Sequence, residues 1–168
     1  MLPRDLLADA FARVQEEVHV AVEGLTEDQL AHRLAPDANS IAWLVWHLLR
    51  VQDDHVAEVA GREQVWTAGG WAARFALPFD DSATGYGHSS ADVAGVRASA
   101  ELLTGYCDAV TEQTRDYLGT VQAEDLDRVV DERWDPPVTL AVRLVSVISD
   151  DLQHVGQAAF VRGVVERG

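Results

Sequence analysis

The sequence predicts an all-α four-helix bundle. Three observations favour this fold: four segments carry apolar residues at spacings of three and four, capping residues stand at their ends, and no segment alternates convincingly as a strand would. A long connection between the second and third helices adds one crossover to the bundle. The 168 residues are sufficient for one domain with its own core, and we expect a single domain over 1–168.

The first helix is predicted from Asp5 to Val22, because apolar residues recur there on one face and acidic residues lie off it. Gly24 ends this helix. Thr26 and Gln29 have the spacing of a capping box, which opens a short helical turn through Leu30.

The second helix follows the segment APDANS, which supplies a turn and a ready N-cap, and it runs until Gly61. Residues 62–88 have no sustained period and are rich in glycine, so they predict a long irregular connection, a type of segment that often serves function. The stretch GYGHSS near its end either covers the open end of the bundle as a lid or forms a simple loop.

The third helix is predicted from about Ala91 to Leu118. The motif WDPP then stops any helix, because proline lacks a backbone donor and restricts the residue before it. Thr139 caps the last helix, which reaches about Val165. The predicted inward line of this helix is Ala141, Leu144, Ile148, Leu152, Val155 and Ala159.

The charge of the chain excludes several kinds of partner. All 13 basic residues are arginines, and against 28 acidic residues they leave a net charge of -15. Nucleic acids and anionic membranes are therefore not expected as partners, since both bind basic surfaces. Cys107 is the only cysteine, which excludes an intrachain disulfide and a thiolate cluster. No apolar segment is long enough for a signal peptide or a membrane span, so we expect a cytoplasmic protein.

A metal site is one explanation for the polar residues at the start of DDLQHVGQAAFVRG. Asp150 and His154 are four residues apart and lie on one side of a helix, where they can bind a single ion, and His47 on the second helix can supply a third ligand. His55 and Asp151 are rivals for these positions, and periodicity does not choose between them. The other explanation is an ordinary polar margin of the helix.

Two stretches of the chain resemble the DinB-like superfamily of metal-binding four-helix bundles. They are NSIAWLVWHLLRVQDDH and, about a hundred residues later, DLQHVGQAAFVRG. The superfamily includes mycothiol- and bacillithiol-type S-transferases and the mycothiol-dependent maleylpyruvate isomerase. The resemblance implies that His47, Asp150 and His154 are the metal ligands. Many members have histidine where this chain has Asp150, and the oxygen ligand leaves the metal open: zinc is the first expectation, with nickel or iron as others.

The resemblance implies an enzyme in which the metal activates a low-molecular-weight thiol, such as mycothiol, for attack on an electrophile. Two alternatives stay open on the residues alone. One is a hydrolase that uses the same metal, with Asp54 or Asp151 as the general base. The other is a bundle without catalytic activity that binds a small ligand or a partner, with a homodimer through an apolar helix face as one form of it.

Overall fold

Four long helices form a bundle in the computed structural model, which describes residues 2–167. The predicted all-α bundle is thereby confirmed. In chain order the elements are α1 (Pro3–Val22), α2 (Glu27–Leu30), α3 (Ile41–Ala60), α4 (Val65–Ala68), α5 (Trp71–Phe75), α6 (Ser90–Gly95), α7 (Ala100–Thr120), a 3-10 helix (Ala123–Asp127), β1 (Val129–Asp131), β2 (Val138–Thr139) and α8 (Leu140–Val165). The long helices α1, α3, α7 and α8 make up the bundle.

Helix α3 is the central element of the bundle. It packs against α8 and α7, while α1 packs against α7 and α8 on the other side. Every residue from Ile41 to Asp53 is buried, which explains why this segment reads as an almost continuous apolar run. His47 lies in the middle of it. Even so, no helix within residues 2–167 has the length and apolarity needed to cross a membrane.

The helix ends follow the capping residues of the sequence. The Ser40 hydroxyl accepts a hydrogen bond from the backbone N–H of Trp43 and starts α3. Gly61 ends that helix with a φ of 62°, a left-handed conformation that glycine adopts without strain. The capping box at Thr26 and Gln29 is present as well. These predictions are confirmed.

The predicted third helix is two helices. Helix α6 stops at Gly95, Val96 is extended, and α7 begins afresh behind Ser99, whose hydroxyl accepts from the N–H of Leu102. The apolar spacing continues across this break, because Val96 is buried just as a helical residue would be. The second N-cap at Ser99 is the local signal of the break.

The connection at 62–88 also contains two short helices, α4 and α5.

The predicted inward line of α8 was wrong in part. Leu152 is 48% exposed and Ala159 is exposed too, whereas Arg143 and Asp151 are buried. Periodicity failed here because α8 is apolar on both sides and carries two charged residues on its inner face. The inner face consists of Leu140, Arg143, Leu144, Val147, Asp151, Val155, Ala158 and Val161.

A small antiparallel hairpin, absent from the sequence prediction, surrounds the WDPP motif. Strands β1 and β2 are three and two residues long, which is too short to show an alternating pattern. The hairpin is joined to the bundle through Asp131, which accepts hydrogen bonds from Arg133 next to it and from Arg143 of α8.

A buried carboxylate ties the connection at 62–88 to the bundle. Asp53 of α3 accepts hydrogen bonds from the backbone N–H groups of Val65 and Trp66, at 2.9 and 2.8 Å, and from the hydroxyl of Tyr106 on α7, at 2.8 Å. Burial raises the pKa of the Asp53 carboxyl, and these three donors oppose that shift by stabilising the charged form. The start of α4 is thereby fixed to α3 and α7.

Arg50, one turn before Asp53, ties the far end of the same connection. Its guanidinium is fully buried and lies 3.7 Å from the Asp53 carboxylate. It donates hydrogen bonds to the side chain of Gln64, at 2.9 Å, and to the backbone carbonyl of Ala83, at 3.2 Å. Both ends of the crossover therefore depend on one buried ion pair, which lies close along α3 to His47.

Substitution of Asp53 by Asn tests this role. It leaves the Arg50 guanidinium buried without a counter-charge, so we expect the free energy of unfolding in urea to fall by about 3 kcal/mol. Asp9→Asn is the matched control, because it breaks an exposed Asp–Arg pair with Arg13 on α1 and should cost much less. Equal losses in the two variants would contradict a structural role for the buried pair.

Candidate metal centre

The three candidate ligands that the family resemblance implies lie close together between α3 and α8. One ligand atom from each of His47, Asp150 and His154 lies within 4.8 Å of the other two. His47 comes from the buried middle of α3, whereas Asp150 and His154 lie one turn apart on α8 and are partly buried. The close packing of α3 on α8 produces this meeting of residues that are about a hundred positions apart.

Backbone carbonyls select the tautomer of both imidazole rings. The Nδ1 of His47 bonds to the carbonyl of Thr84, and the Nδ1 of His154 bonds to the carbonyl of Asp150 at 2.8 Å. A carbonyl oxygen only accepts, so Nδ1 carries a proton in each ring, and in the neutral form of the ring Nε2 keeps the lone pair. Histidines that bind metals are typically oriented in this way.

The carboxylate of Asp150 has an oxygen without a partner. Its Oδ2 is buried and makes no hydrogen bond to any residue in 2–167, although it lies 3.7 Å from the Nδ1 of His154. A buried carboxylate oxygen without a partner is unfavourable, and a bound cation would compensate it. Burial also lowers the pKa of His47 and so favours the neutral ring that a metal requires. Two imidazole nitrogens and one carboxylate oxygen fit a divalent cation.

The segment from Thr84 to His88 lies against the site. The Gly85 backbone touches the ring of His47, the Tyr86 ring stands edge-on to it at a centroid distance of 5.4 Å, and His88 accepts a hydrogen bond from Trp43 at 3.1 Å. Trp43 in turn stacks on His47 at 4.6 Å. The GYGH stretch therefore covers one side of the candidate site. The contact between the Gly85 backbone and the His47 ring was not predicted. The Gly-Tyr-Gly pattern is the feature of the sequence that could have indicated it.

The rival ligands of the sequence analysis are placed elsewhere. His55 is held by Arg143, whose Nη1 donates to its Nδ1 at 2.8 Å. Asp151 is fully buried, and burial and the nearby Asp150 raise the pKa of its carboxyl well above the usual range. Neither residue belongs to the group around His47.

A second group of ligating side chains was not anticipated from the sequence. His19, Cys107 and Asp108 also bring ligand atoms within 4.8 Å of one another. The Nε2 of His19 is already bonded to Asp108 at 2.7 Å, and burial raises the pKa of Cys107 so that it stays a thiol. Metals bind the thiolate, so this group is the weaker candidate.

Gly85 provides a test of the loop contact. A Cβ at this position would collide with the His47 ring, and the backbone φ of 102° disfavours any side chain. We expect Gly85→Ala to displace His47 from its carbonyl partner and to lower zinc affinity by roughly tenfold, the loss typical when the partner that orients a ligand is removed. Zinc titration by calorimetry measures this affinity.

Gly87→Ala is the matched control, because Gly87 also has a positive φ, 73°, but its added Cβ would meet nothing within 4 Å. This variant should bind zinc about as well as the parent protein. Equal affinities for the two variants would show that contact between Gly85 and His47 does not orient the ring.

The comparisons with known proteins agree with this architecture. A crystal structure of a conserved protein of Enterococcus faecalis is similar over 100% of this chain and 99% of its own, with a TM-score of 0.93 and 31% sequence identity. None of the proteins with curated functional descriptions matches significantly. The family profile described as mycothiol S-transferase matches residues 6–167. The chain therefore belongs to the mycothiol S-transferase family, one of the DinB-like helical bundles.

Proposed function

We propose that this protein is a divalent-metal-dependent S-transferase, with His47, Asp150 and His154 as the metal ligands. The observation that carries the proposal is that one ligand atom from each of these three side chains lies within 4.8 Å of the other two, while the buried Oδ2 of Asp150 has no partner within residues 2–167. The family of the chain supports the thiol chemistry. Zinc is the proposed metal, because it accepts nitrogen and oxygen ligands in this number; nickel and ferrous iron suit the same set.

Three protein ligands leave a coordination position open, the arrangement of catalytic rather than structural sites. A divalent cation in the site would lower the pKa of a thiol that enters this position and so supply thiolate at neutral pH. The thiol loses its proton to solvent, its sulfur forms a bond to the electrophilic carbon, and the leaving group departs with the electron pair of the broken bond. Mycothiol is the proposed thiol.

The residues around the ligands have distinct tasks in this proposal. The Thr84 carbonyl and the stacked Trp43 ring keep His47 in one orientation. Tyr86 covers the His47 ring from the loop side and limits the access of water there. Preorganised ligands of this kind avoid reorientation during the reaction.

The same geometry does not favour a hydrolase. Asp151, one candidate for its general base, faces the bundle interior, and Asp54, the other, accepts a hydrogen bond from Gln64 at 2.6 Å. A general base must reach the water that attacks the substrate. Neither carboxylate belongs to the group of ligand atoms around His47.

Substitution of His154 by Ala tests the site and the activity together. We expect the parent protein to bind one zinc or nickel ion and to couple a thiol to monochlorobimane, and we expect His154→Ala to lose metal affinity and thiol-dependent rate by more than about tenfold. Elemental analysis and fluorescence of the product measure the two effects. His32→Ala, at an exposed histidine far from the ligands along the chain, is the control.

Two results would contradict this proposal. One is a parent protein that binds neither metal in a stoichiometric amount. The other is product that forms at the same rate when the thiol is omitted. Thermal melting of both variants separates a lost site from a lost fold.

We also propose that the protein forms a homodimer through the outer face of α8. This face presents an apolar stripe at alternating spacings of three and four, the pattern of paired helices. The stripe consists of Val142, Val145, Ser149, Leu152, Gly156 and Ala159, all exposed. It carries no charged side chain, so two copies with a net charge of -15 each meet there with the least repulsion. Its small residues let two helices approach closely.

Leu152→Glu tests the dimer, because it places a carboxylate on each side of the proposed contact. Sedimentation velocity should show a dimer for the parent protein and a monomer for this variant. Leu6→Glu is the control, since Leu6 is a similarly exposed leucine on α1, and this variant should remain dimeric. A monomeric parent protein would rule out the dimer.

A further inference from the structure

Two adjoining cavities lie between Asp150, one of the candidate metal ligands, and the small hairpin. One cavity of about 220 Å³ reaches Asp150, and a second of about 440 Å³ reaches Arg133 and Trp134 of the hairpin. Both are lined by His55, Tyr86 and Ser146, and so they adjoin. We call this continuous space the Arg133 cleft. The two cavities together have room for a molecule much larger than the group that reacts at the metal ligands.

At the hairpin end of the Arg133 cleft, two guanidinium groups donate hydrogen bonds to one carboxylate. Asp131 accepts hydrogen bonds from Nε and Nη2 of Arg133, each at 2.9 Å, and from Nη2 of Arg143 at 3.0 Å. These bonds hold the pKa of the Asp131 carboxyl far below its usual range. Asp131, Arg133 and Arg143 together carry one net positive charge, and the carboxylate of Glu58 lies near Arg133.

Arg133 has unused donor capacity that faces solvent. Its side chain is 78% exposed, it lines the cleft, and its Nη1 has no partner within residues 2–167. A guanidinium held on one edge by a carboxylate presents its other edge in a fixed direction. This preorganisation lowers the entropy that a ligand must lose on binding.

His55 adds a neutral donor to the same wall. Because Arg143 donates to Nδ1 of His55, that nitrogen accepts, and the ring carries its proton on Nε2. Burial and the nearby Arg143 lower the pKa of His55, which keeps the ring neutral. The acidic residues closest to it in sequence, Asp54 and Glu58, do not line either cavity.

Part of the cleft lining is apolar. Trp134 is 65% exposed and lines the cleft with Val138 of β2. An exposed indole beside a guanidinium suits a flat apolar group that carries a negative charge at its edge.

We infer that the Arg133 cleft binds a substrate with a flat apolar body and an anionic group, a carboxylate above all, which Arg133 recognises while the reactive end lies at Asp150. This inference rests on the proposed function for the reaction at the ligand set, but the recognition of the anion does not require that reaction. The anionic group belongs either to the electrophile or to the thiol, and reactive probes distinguish these two sources.

Binding of two unreactive probes tests the subsite by itself. We expect 4-nitrobenzoate to bind the purified protein about tenfold more tightly than 4-nitrobenzamide, since a hydrogen bond to a charged group is stronger than one to a neutral group. The preference should remain after chelation of the metal and should disappear in Arg133→Gln. Arg13→Gln, which removes an exposed arginine that is also paired with an aspartate, should keep it. Calorimetry measures the affinities, and thermal melting verifies the folds.

Reactive probes then assign the source of the anionic group. A higher kcat/KM for 4-chloro-3-nitrobenzoate than for 4-chloro-3-nitrobenzamide that depends on Arg133 places the anion on the electrophile. The same dependence for N-acetylcysteine over its amide places it on the thiol. A lack of any transfer together with selective binding of 4-nitrobenzoate refutes the proposed function and leaves the subsite standing. Equal binding of the two unreactive probes, or a preference that survives in Arg133→Gln, overturns the inference.

Discussion

The ion pair of Arg50 and Asp53 is the constraint on which the rest of the structure depends. Both side chains are inaccessible to solvent, so their hydrogen-bond partners must come from the protein. Most of the partners that they have belong to the crossover between α3 and α7. This pair holds residues 64–66 and residue 83, and so it fixes the crossover at two points beside α3. The carbonyl of Thr84 consequently reaches His47. A polar network inside the bundle thus determines the environment of a ring at the candidate site.

The candidate site results from the contact between α3 and α8. A second set of contacts joins these two helices to the hairpin. Arg143 of α8 joins His55 of α3 to Asp131 of the hairpin, at 2.8 and 3.0 Å. Arg143 therefore links the hairpin to both helices that carry the candidate ligands. The proposed recognition at the far end of the cleft and the proposed chemistry at its near end therefore share one framework, so a substrate bound by its anionic end would present its other end to the candidate ligands at a defined distance.

Local signals in the sequence predicted the helix ends well, because serine, threonine and glycine caps act within a few residues. They did not predict the inner face of α8, since that helix is apolar on both sides and Arg143 and Asp151 are buried. The hairpin was too short for a pattern. Periodicity alone left His55 and Asp151 as rivals of the ligand set, and only the family resemblance favoured His47, Asp150 and His154. The structure separates them for reasons that no local pattern contains: Arg143 holds His55, and Asp151 faces the interior.

Main-chain oxygens are the hydrogen-bond partners of the Nδ1 atoms of both histidines of the candidate site. Most residues of the covering loop can therefore be exchanged without loss of this orientation, provided that the course of the backbone is kept. The two rings differ in one respect. His154 relies on the carbonyl of its own helix, four residues back, and keeps that partner as long as the helix persists. His47 relies on a carbonyl from a distant loop, so its orientation is the more vulnerable of the two, and partial loosening of the crossover would release it while the four long helices remain folded.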